Sequence, residues 1–200
     1  GPQEDFKAYP RTFAADLALC AAARVDVVFA PRPADMYAAD FSTWVTENTL
    51  AHNLCGARRP GHFRGVCTIV AKLFNITQPH LAVFGWKDAQ QGLIIRRMAR
   101  DLNLAVRIVM HPIVRERDGL AISSRNAYLS AEERTRAAGI ARALRQVRAW
   151  RAAGASARAI AARLRAAIAR EVSPRIDYIG VVDLATLRNV TAPRPGQPIM

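Results

Sequence analysis

The chain has 200 residues and a mass of 22.0 kDa, which fits one large domain or one domain with a small companion. Because 51% of the residues are hydrophobic and 22% are charged, the chain can bury a core, and global disorder is excluded. The sequence has no apolar stretch of the ~18 residues that a membrane helix needs, and its three cysteines form no CxxC pair. We therefore expect a cytoplasmic protein with reduced thiols and no membrane partner.

The net charge of +13 raises the possibility of a nucleic-acid partner, since basic surfaces attract phosphate polyanions. Eleven arginines but only three glutamates lie between positions 131 and 175, set among alanines in a pattern typical of solvated helices. The stretch has no series of aromatic residues on which bases could stack. We therefore expect no nucleic-acid partner, whereas small anionic substrates remain compatible with the charge.

Strand and helix patterns alternate in the first half of the chain. The predicted elements are a helix from Thr12 to about Ala23, a strand Val25–Ala30, a weaker strand Phe41–Thr46, a helix His62–Phe74, a buried strand Leu81–Gly85, a helix from about Asp88 to Leu102 and a strand Val106–Met110. This alternation predicts an α/β fold with a parallel sheet.

The pattern changes near Ile113, which divides the chain into a predicted domain of residues 1–113 and a smaller α+β domain of residues 114–200. Ser130–Glu133 is a capping box that predicts a helix beginning at Ala131 and ending near Gly154. Ser156 caps a second helix that ends before Pro174, giving an αα-hairpin. Residues Ile176–Val182 then resemble a strand.

Three polar clusters could carry chemistry. Gly85–Gln91 follows an apolar strand and opens a helix, where backbone N–H groups and Lys87 could meet a phosphate, or where an ordinary βα turn could lie. Asp118–Asn126 offers two hydroxyls and a guanidinium suited to phosphate oxygens, or a polar turn between domains. Arg58–Gly65 is a basic turn, or merely a solvated loop. Its glycine spacing imitates a P-loop, but His62 and Phe63 replace the Lys and Ser/Thr of that motif.

In their order and spacing these clusters closely resemble the pantothenate synthetase (pantoate–β-alanine ligase) family. The matching segments are Glu4–Thr12, Arg59–Val66, Lys72–Ile76, Phe84–Gln91, Arg115–Asn126 with Tyr128 and Leu129 and, weakly, Ile176–Tyr178. The resemblance implies a Rossmann-like nucleotidyltransferase fold of the HxGH type, with a smaller C-terminal domain. It also implies an enzyme that uses ATP and Mg²⁺ to adenylate pantoate and then couples it to β-alanine, releasing pyrophosphate and AMP.

The resemblance also assigns residues. ATP would lie against Gly85, Trp86, Lys87, Asp88, Val114, Ile122, Ser123, Ser124 and Arg125; of these, Lys87, Ser123, Ser124 and Arg125 would be catalytic, and Gln91 would hold pantoate. No metal ligand is identified. The family also implies a homodimer.

Two departures from the family affect the expected activity. The HxGH segment that steadies the ATP phosphates in the family, and the family's C-terminal tail, are both missing from these 200 residues. We therefore expect a truncated chain that is inactive alone. Two alternatives remain open: a related nucleotidyltransferase that acts on another acid, and a non-catalytic nucleotide-binding or assembly fragment.

Overall fold

A computed structural model describes residues 12–172, 176–194 and 196–200. In chain order its helices and strands are α1 (Phe13–Ala22), α2 (Pro33–Met36), α3 (Leu54–Arg58), α4 (His62–Thr77), β1 (Leu81–Gly85), α5 (Ala89–Asp101), β2 (Arg107–His111), α6 (Ala131–Ala152) and α7 (Ala157–Val172). Short 3-10 turns lie at Leu50–His52, Trp86–Asp88 and Ser124–Tyr128. None of the described helices is long and apolar enough to cross a membrane.

The β1–α5–β2 unit is the centre of the fold. The two strands are parallel neighbours, in register from Leu81 opposite Arg107 to Gly85 opposite His111, and α5 connects them. This confirms the strand, helix and strand predicted for this region. The expectation that β1 is buried on both faces is wrong: Leu81 and Val83 are exposed, because only the face carrying Ala82 and Phe84 packs on the core.

The main hydrophobic core lies between α4 and α5. Phe63, Cys67 and Phe74 of α4 pack with Ile94 and Ile95 of α5, whose side chains are fully buried. Phe63, Cys67 and Phe74 are spaced by four and seven residues, which places them on one face of α4. Burial, with a smaller contribution from Glu47, raises the pKa of Cys67 to about 11, so this thiol stays protonated.

Three predicted strands are wrong. Residues 25–30 and 41–46 are irregular, and 176–182 is irregular up to isolated bridges at Val182 and Asp183. A strand needs a neighbouring chain to accept and donate its ladder hydrogen bonds. Among the described residues, 25–30 and 41–46 find no such neighbour, and 176–182 finds one only at its end, where Val181 and Val182 bond to Val190 and Met200. Backbone N–H groups instead find other partners, as when Val45 donates to Thr68 Oγ1 on α4 (3.0 Å).

Helices α6 and α7 form the predicted αα-hairpin. Ser130 and Glu133 make the expected capping box: Ser130 Oγ accepts from Glu133 N–H, and the Glu133 carboxylate accepts from Ser130 N–H. Ser156 Oγ accepts from Ala159 N–H at the start of α7. Ala143, Ile160 and Leu164 form a second, smaller core between the two helices. The division into domains at residue 113 stays a prediction.

Candidate active site

The first wall of the candidate site is the turn between β1 and α5. The chain leaves β1 at Gly85, makes the 3-10 turn Trp86–Asp88 and enters α5 at Ala89. Lys87 Nζ lies 3.4 Å from Asp88 Oδ2, and both side chains are exposed toward the cavity. Parallel strands end at a common edge of the sheet, so this turn lies where α/β folds usually bind ligands.

Two neighbouring glutamines at the start of α5 differ in their contacts. Gln90 is buried and hydrogen-bonded to backbone groups of residues 50–55. Gln91 lines the cavity, and its side-chain amide makes no hydrogen bond within residues 12–172, 176–194 and 196–200. An amide carries both a donor and an acceptor, so Gln91 can bind a ligand carboxylate or hydroxyl.

The second wall is the segment Ser123–Arg125, about 35 residues further along the chain. Ser123 caps the 3-10 turn Ser124–Tyr128, its Oγ accepting from Arg125 N–H at 3.3 Å. Asn126 Nδ2 donates to the carbonyl of Ala121 (3.0 Å) and fixes the base of the turn. These contacts present two hydroxyls and a guanidinium to the same cavity as Lys87.

The third wall is the basic turn before α4. Gly61 adopts a left-handed conformation (φ +79°) that a Cβ would strain, and α4 begins at the next residue. Arg59 Nη1 lies 2.8 Å from His62 Nε2. A guanidinium only donates, so His62 Nε2 is the acceptor of this hydrogen bond. Arg59 and His62 of this cluster line the cavity, whereas Arg58 and Arg64 are exposed.

The fourth wall comes from the end of the described chain. Val182 and Met200 exchange two backbone hydrogen bonds of 2.9 Å, and both line the cavity beside Tyr178 and Gly180. Burial, with smaller contributions from the charges of Cys55 and Asp177, raises the pKa of Tyr178. Tyr178 therefore presents a neutral phenol at neutral pH.

Together the four walls enclose a cavity of about 880 Å³. Six of the ten residues assigned from the sequence line it: Lys87, Asp88, Gln91, Ser123, Ser124 and Arg125. The other four, Gly85, Trp86, Val114 and Ile122, are absent from its lining; Gly85, Trp86 and Ile122 lie next to lining residues in sequence, and Val114 is hydrogen-bonded to Ile122. Trp86 packs against the main core, whereas Val114 and Ile122 are half exposed. The roles of all ten stay predictions.

The sequence reasoning missed the apolar and C-terminal parts of the wall. Five such residues reach the cavity through long-range packing, which a local sequence pattern does not predict: Leu54, Cys55, Phe63, Val182 and Met200. Arg59 and His62 did carry a signal, since a basic turn at a helix start suits an anion. The matching segment Glu4–Arg11 lies outside the described residues.

The chemistry of the lining favours an anionic ligand with a partly apolar acid beside it. Lys87, Arg59 and Arg125 contribute positive charge, and Asp88 contributes the one carboxylate of the described lining. No group of three or more His, Cys, Asp or Glu side chains that could hold a metal occurs in the described part of the chain. A metal ion here would therefore depend on oxygen atoms of the ligand.

Comparison with known proteins identifies the family. A family model described as pantoate-beta-alanine ligase matches residues 1–199. A pantothenate synthetase of Roseiflexus sp. (strain RS-1) is 54% identical over 191 residues, which cover 95% of this chain and 69% of that protein. One of Anaeromyxobacter dehalogenans (strain 2CP-C) is 50% identical over 202 residues, which cover 100% of this chain and 70% of that protein.

Solved structures agree on the fold. The crystal structure of pantothenate synthetase from Thermus thermophilus superposes with a TM-score of 0.91 at 44% identity, covering 96% of this chain and 70% of that chain. A pantoate-beta-alanine ligase from Francisella tularensis, complexed with beta-gamma ATP and beta-alanine, superposes with a TM-score of 0.68 at 35% identity, covering 73% and 56%. These matches confirm the predicted α/β nucleotidyltransferase-like fold. The chain belongs to the pantoate-beta-alanine ligase family.

Proposed function

We propose that the cavity binds ATP and pantoate side by side and, in a chain completed to the length of its relatives, adenylates pantoate, as the first half of an ATP-dependent ligation of pantoate to β-alanine. The observation that carries the proposal is the convergence of Lys87 and Ser123–Arg125 on one cavity beside the available amide of Gln91. Family membership and the ATP and beta-alanine in the Francisella tularensis complex support the same reaction.

In the first step a carboxylate oxygen of pantoate attacks the α-phosphorus of ATP, and the bond to pyrophosphate breaks. Negative charge grows on the departing pyrophosphate. Lys87 and Arg125 stabilise that charge, while the hydroxyls of Ser123 and Ser124 donate hydrogen bonds to phosphate oxygens. Because these groups are fixed by the turns that carry them, catalysis consists mainly of positioning and electrostatic stabilisation.

In the second step the amine of β-alanine attacks the acyl carbon, a proton leaves the nitrogen and AMP departs. Gln91 orients the pantoate moiety through both steps, with Leu54 and Phe63 offering apolar surface to its hydrocarbon part. Of the remaining residues assigned to ATP, Gly85 and Trp86 shape the turn that carries Lys87. Val114 and Ile122 are joined by a backbone hydrogen bond and adjoin Ser123–Arg125, which we call the phosphate-binding segment.

The donor set fits Mg²⁺ only as a companion of ATP. Mg²⁺ is usually held by one or two carboxylates together with substrate phosphates, and Asp88 is the described carboxylate in position to take that part. When bound, the ion would neutralise phosphate charge next to Lys87. We further propose a cytoplasmic homodimer; sedimentation velocity tests the oligomeric state.

The two alternatives left open by the sequence are not favoured by the comparisons, since the similar proteins named above are pantoate ligases. They remain distinguishable by acid specificity. A related nucleotidyltransferase would prefer another acid, and a non-catalytic nucleotide-binding or assembly fragment would not bind pantoate.

Calorimetric titration tests the proposal, because adenylation requires that ATP and pantoate are held together. We expect saturable binding of each. In Gln91→Leu the Kd of pantoate rises about tenfold or more, the cost of leaving a ligand polar group without its partner, whereas the Kd of ATP changes less than twofold. Absence of saturable pantoate binding, or equal affinity for lactate, would contradict the proposal.

A further inference from the structure

Gln90 is one of two buried polar side chains in the described core, and its amide is bonded entirely to the protein. Its Oε1 accepts from Cys55 N–H at 3.0 Å. Its Nε2 donates to the carbonyls of Leu50 and Asn53, each at 2.8 Å. Both N–H donors of Gln90 are thus engaged, in contrast to those of its neighbour Gln91.

These three bonds hold a segment that has little regular structure of its own. Residues 50–58 consist of the 3-10 turn Leu50–His52 and the five-residue helix α3. Leu54, the first residue of α3, has a left-handed conformation (φ 49°), which is unfavourable for a residue with a bulky side chain. Local preference therefore does not fix this path, and external hydrogen bonds must do so.

Glu47 secures the other end of the same segment. Its carboxylate accepts from the backbone N–H groups of Thr49, Leu50 and Ala51. Glu47 thus holds the start of the 3-10 turn, whereas Gln90 connects the residues that follow it, Asn53 and Cys55, to the first turn of α5. The backbone of Gly56 packs so closely on the 3-10 turn that a Cβ added at Gly56 would collide with the carbonyl of Ala51.

The held segment forms one side of the candidate active site. Leu54 and Cys55 line the cavity, and Arg59 follows at the end of α3, where its Nη1 lies 3.9 Å from Cys55 Sγ. Gln90 and Gln91 are consecutive. The same turn of α5 therefore carries the Gln91 amide, which lines the cavity, and the Gln90 amide, which holds the side formed by Leu54 and Cys55.

From this geometry we propose that Gln90 is a positioning residue, which sets the Leu54–Cys55 wall of the cavity at a fixed distance from Gln91. It acts through that wall and not on the reacting atoms. The consequence for pantoate rests on the proposed function. Loss of the Gln90 hydrogen bonds lets the Leu54–Cys55 wall move and lowers the affinity for pantoate. Lys87 and Ser123–Arg125 lie outside residues 50–58 and still hold ATP.

The test uses the thiol of Cys55 as a reporter of the wall. In a Cys20→Ser background, the remaining thiols are Cys55 in the cavity wall and Cys67 in the core. Labelling by 5,5′-dithiobis(2-nitrobenzoate), assigned by mass spectrometry, measures how often Cys55 is reached. We expect Gln90→Leu to accelerate Cys55 labelling about tenfold or more, because three backbone groups lose their partner. Gln91→Leu is the matched control and leaves the labelling rate unchanged.

Gln90→Asn, which keeps the amide but shortens the side chain by one methylene, provides a second variant should Gln90→Leu fail to fold; circular dichroism checks both. Calorimetry on the folded variant gives the second readout, a Kd of pantoate raised about tenfold with the Kd of ATP changed less than twofold. A Cys55 labelling rate that is unchanged in the Gln90 variants, or an equal rise in the Kd of ATP and of pantoate, overturns the proposal. Absence of pantoate binding by the unaltered chain would count against the proposed function alone, since the labelling needs no ligand.

Discussion

Neighbouring residues in the turn after β1 face two different environments. Lys87, Asp88, Gln90 and Gln91 all line the cavity, but the Gln90 amide is hydrogen-bonded to backbone groups of residues 50–55. A helix turns by about 100° per residue, so adjacent glutamines at its start must point in different directions. Substitutions in this one turn can therefore separate effects on ligand binding from effects on the cavity wall.

Lys87 is the residue whose removal should affect chemistry most directly. Its nearest ionic partner is the exposed carboxylate of Asp88, and its own side chain is more than a third exposed, so the protein gains little stability from this ion pair. We expect Lys87→Ala to lower kcat for pantoate adenylation by about 10²-fold or more while the Tm changes little. Pyrophosphate exchange and thermal unfolding measure the two quantities, in the chain completed to the length of its relatives.

Arg96→Ala is the matched control for Lys87→Ala. Arg96 lies on the exposed face of α5, outside the cavity lining, and its removal changes the net charge by the same amount. Equal losses of kcat in the two variants would show that overall charge, not a placed cation, supports the reaction. A lowered Tm with unchanged kcat would give Lys87 a structural role.

At the scale of elements, the phosphate-binding segment is held at its base but exposed along its length. Ile122 N–H donates to the carbonyl of Val114 (3.0 Å), and an isolated bridge joins Arg115 to Ala121. Gly119 forms the turn between them at φ +94°. The side chains of Ile122, Ser124 and Arg125 are exposed. This arrangement suits a segment that moves over a bound ligand.

We therefore expect hydrogen exchange across residues 122–126 to slow when ATP binds. The N–H groups of this segment gain protection as Ser123–Arg125 close on the phosphates, whereas exchange in the α6–α7 hairpin stays the same. Exchange–mass spectrometry with and without ATP measures the difference. Protection that is identical in both states would contradict closure of this segment.

A second element near the cavity should be sensitive to acid. Asp183 accepts hydrogen bonds from Gln197 Nε2 and from the N–H and hydroxyl groups of Thr186, and these bonds hold its pKa below the ordinary value. A folded-state pKa below the unfolded one stabilises the fold above the unfolded pKa, and this stabilisation is lost as the pH falls through the folded pKa.

The acid sensitivity predicts a local change below about pH 4, the ordinary range of an aspartate. We expect the bridges that join residues 182–183 to Asn189 and Ile199 to open before α4 and α5 unfold. Amide resonances recorded from pH 6 to pH 3 follow the change. Asp183→Asn keeps an acceptor but cannot titrate, so it should remove this step; a step that persists in Asp183→Asn would assign it to another carboxylate.

At the scale of the whole molecule, the sequence predicted best what local pattern determines. The boundaries of α4 to α7 follow from apolar spacing and from caps such as Ser130, and β1 and β2 alternate with α5 as a βαβ unit must. The strands predicted at 25–30 and 176–182 failed because a strand depends on a distant partner that local pattern cannot supply.

The residues of the candidate site likewise fall into those that local sequence predicts and those that depend on packing between distant segments. Lys87 and Ser123–Arg125 stand out in sequence because charged and hydroxyl groups cluster at turns, and all of them line the cavity. Cys55 and Val182 reach it because residues 50–55 and 182–187 pack on the core, and Met200 reaches it through its backbone hydrogen bonds to Val182. Sequence alone does not distinguish Gln90 from Gln91, yet the Gln90 amide is bonded to the backbone of residues 50–55, whereas the Gln91 amide makes no hydrogen bond within the described residues.

A co-crystal structure with ATP and pantoate tests most directly the claim that this one cavity holds both substrates. The account predicts phosphate oxygens in contact with Lys87 Nζ and Arg125, and a pantoate oxygen within hydrogen-bond distance of the Gln91 amide. Gln90 should still be bonded to Leu50, Asn53 and Cys55. Binding of either substrate outside the cavity, or pantoate bound without contact to Gln91, would contradict it.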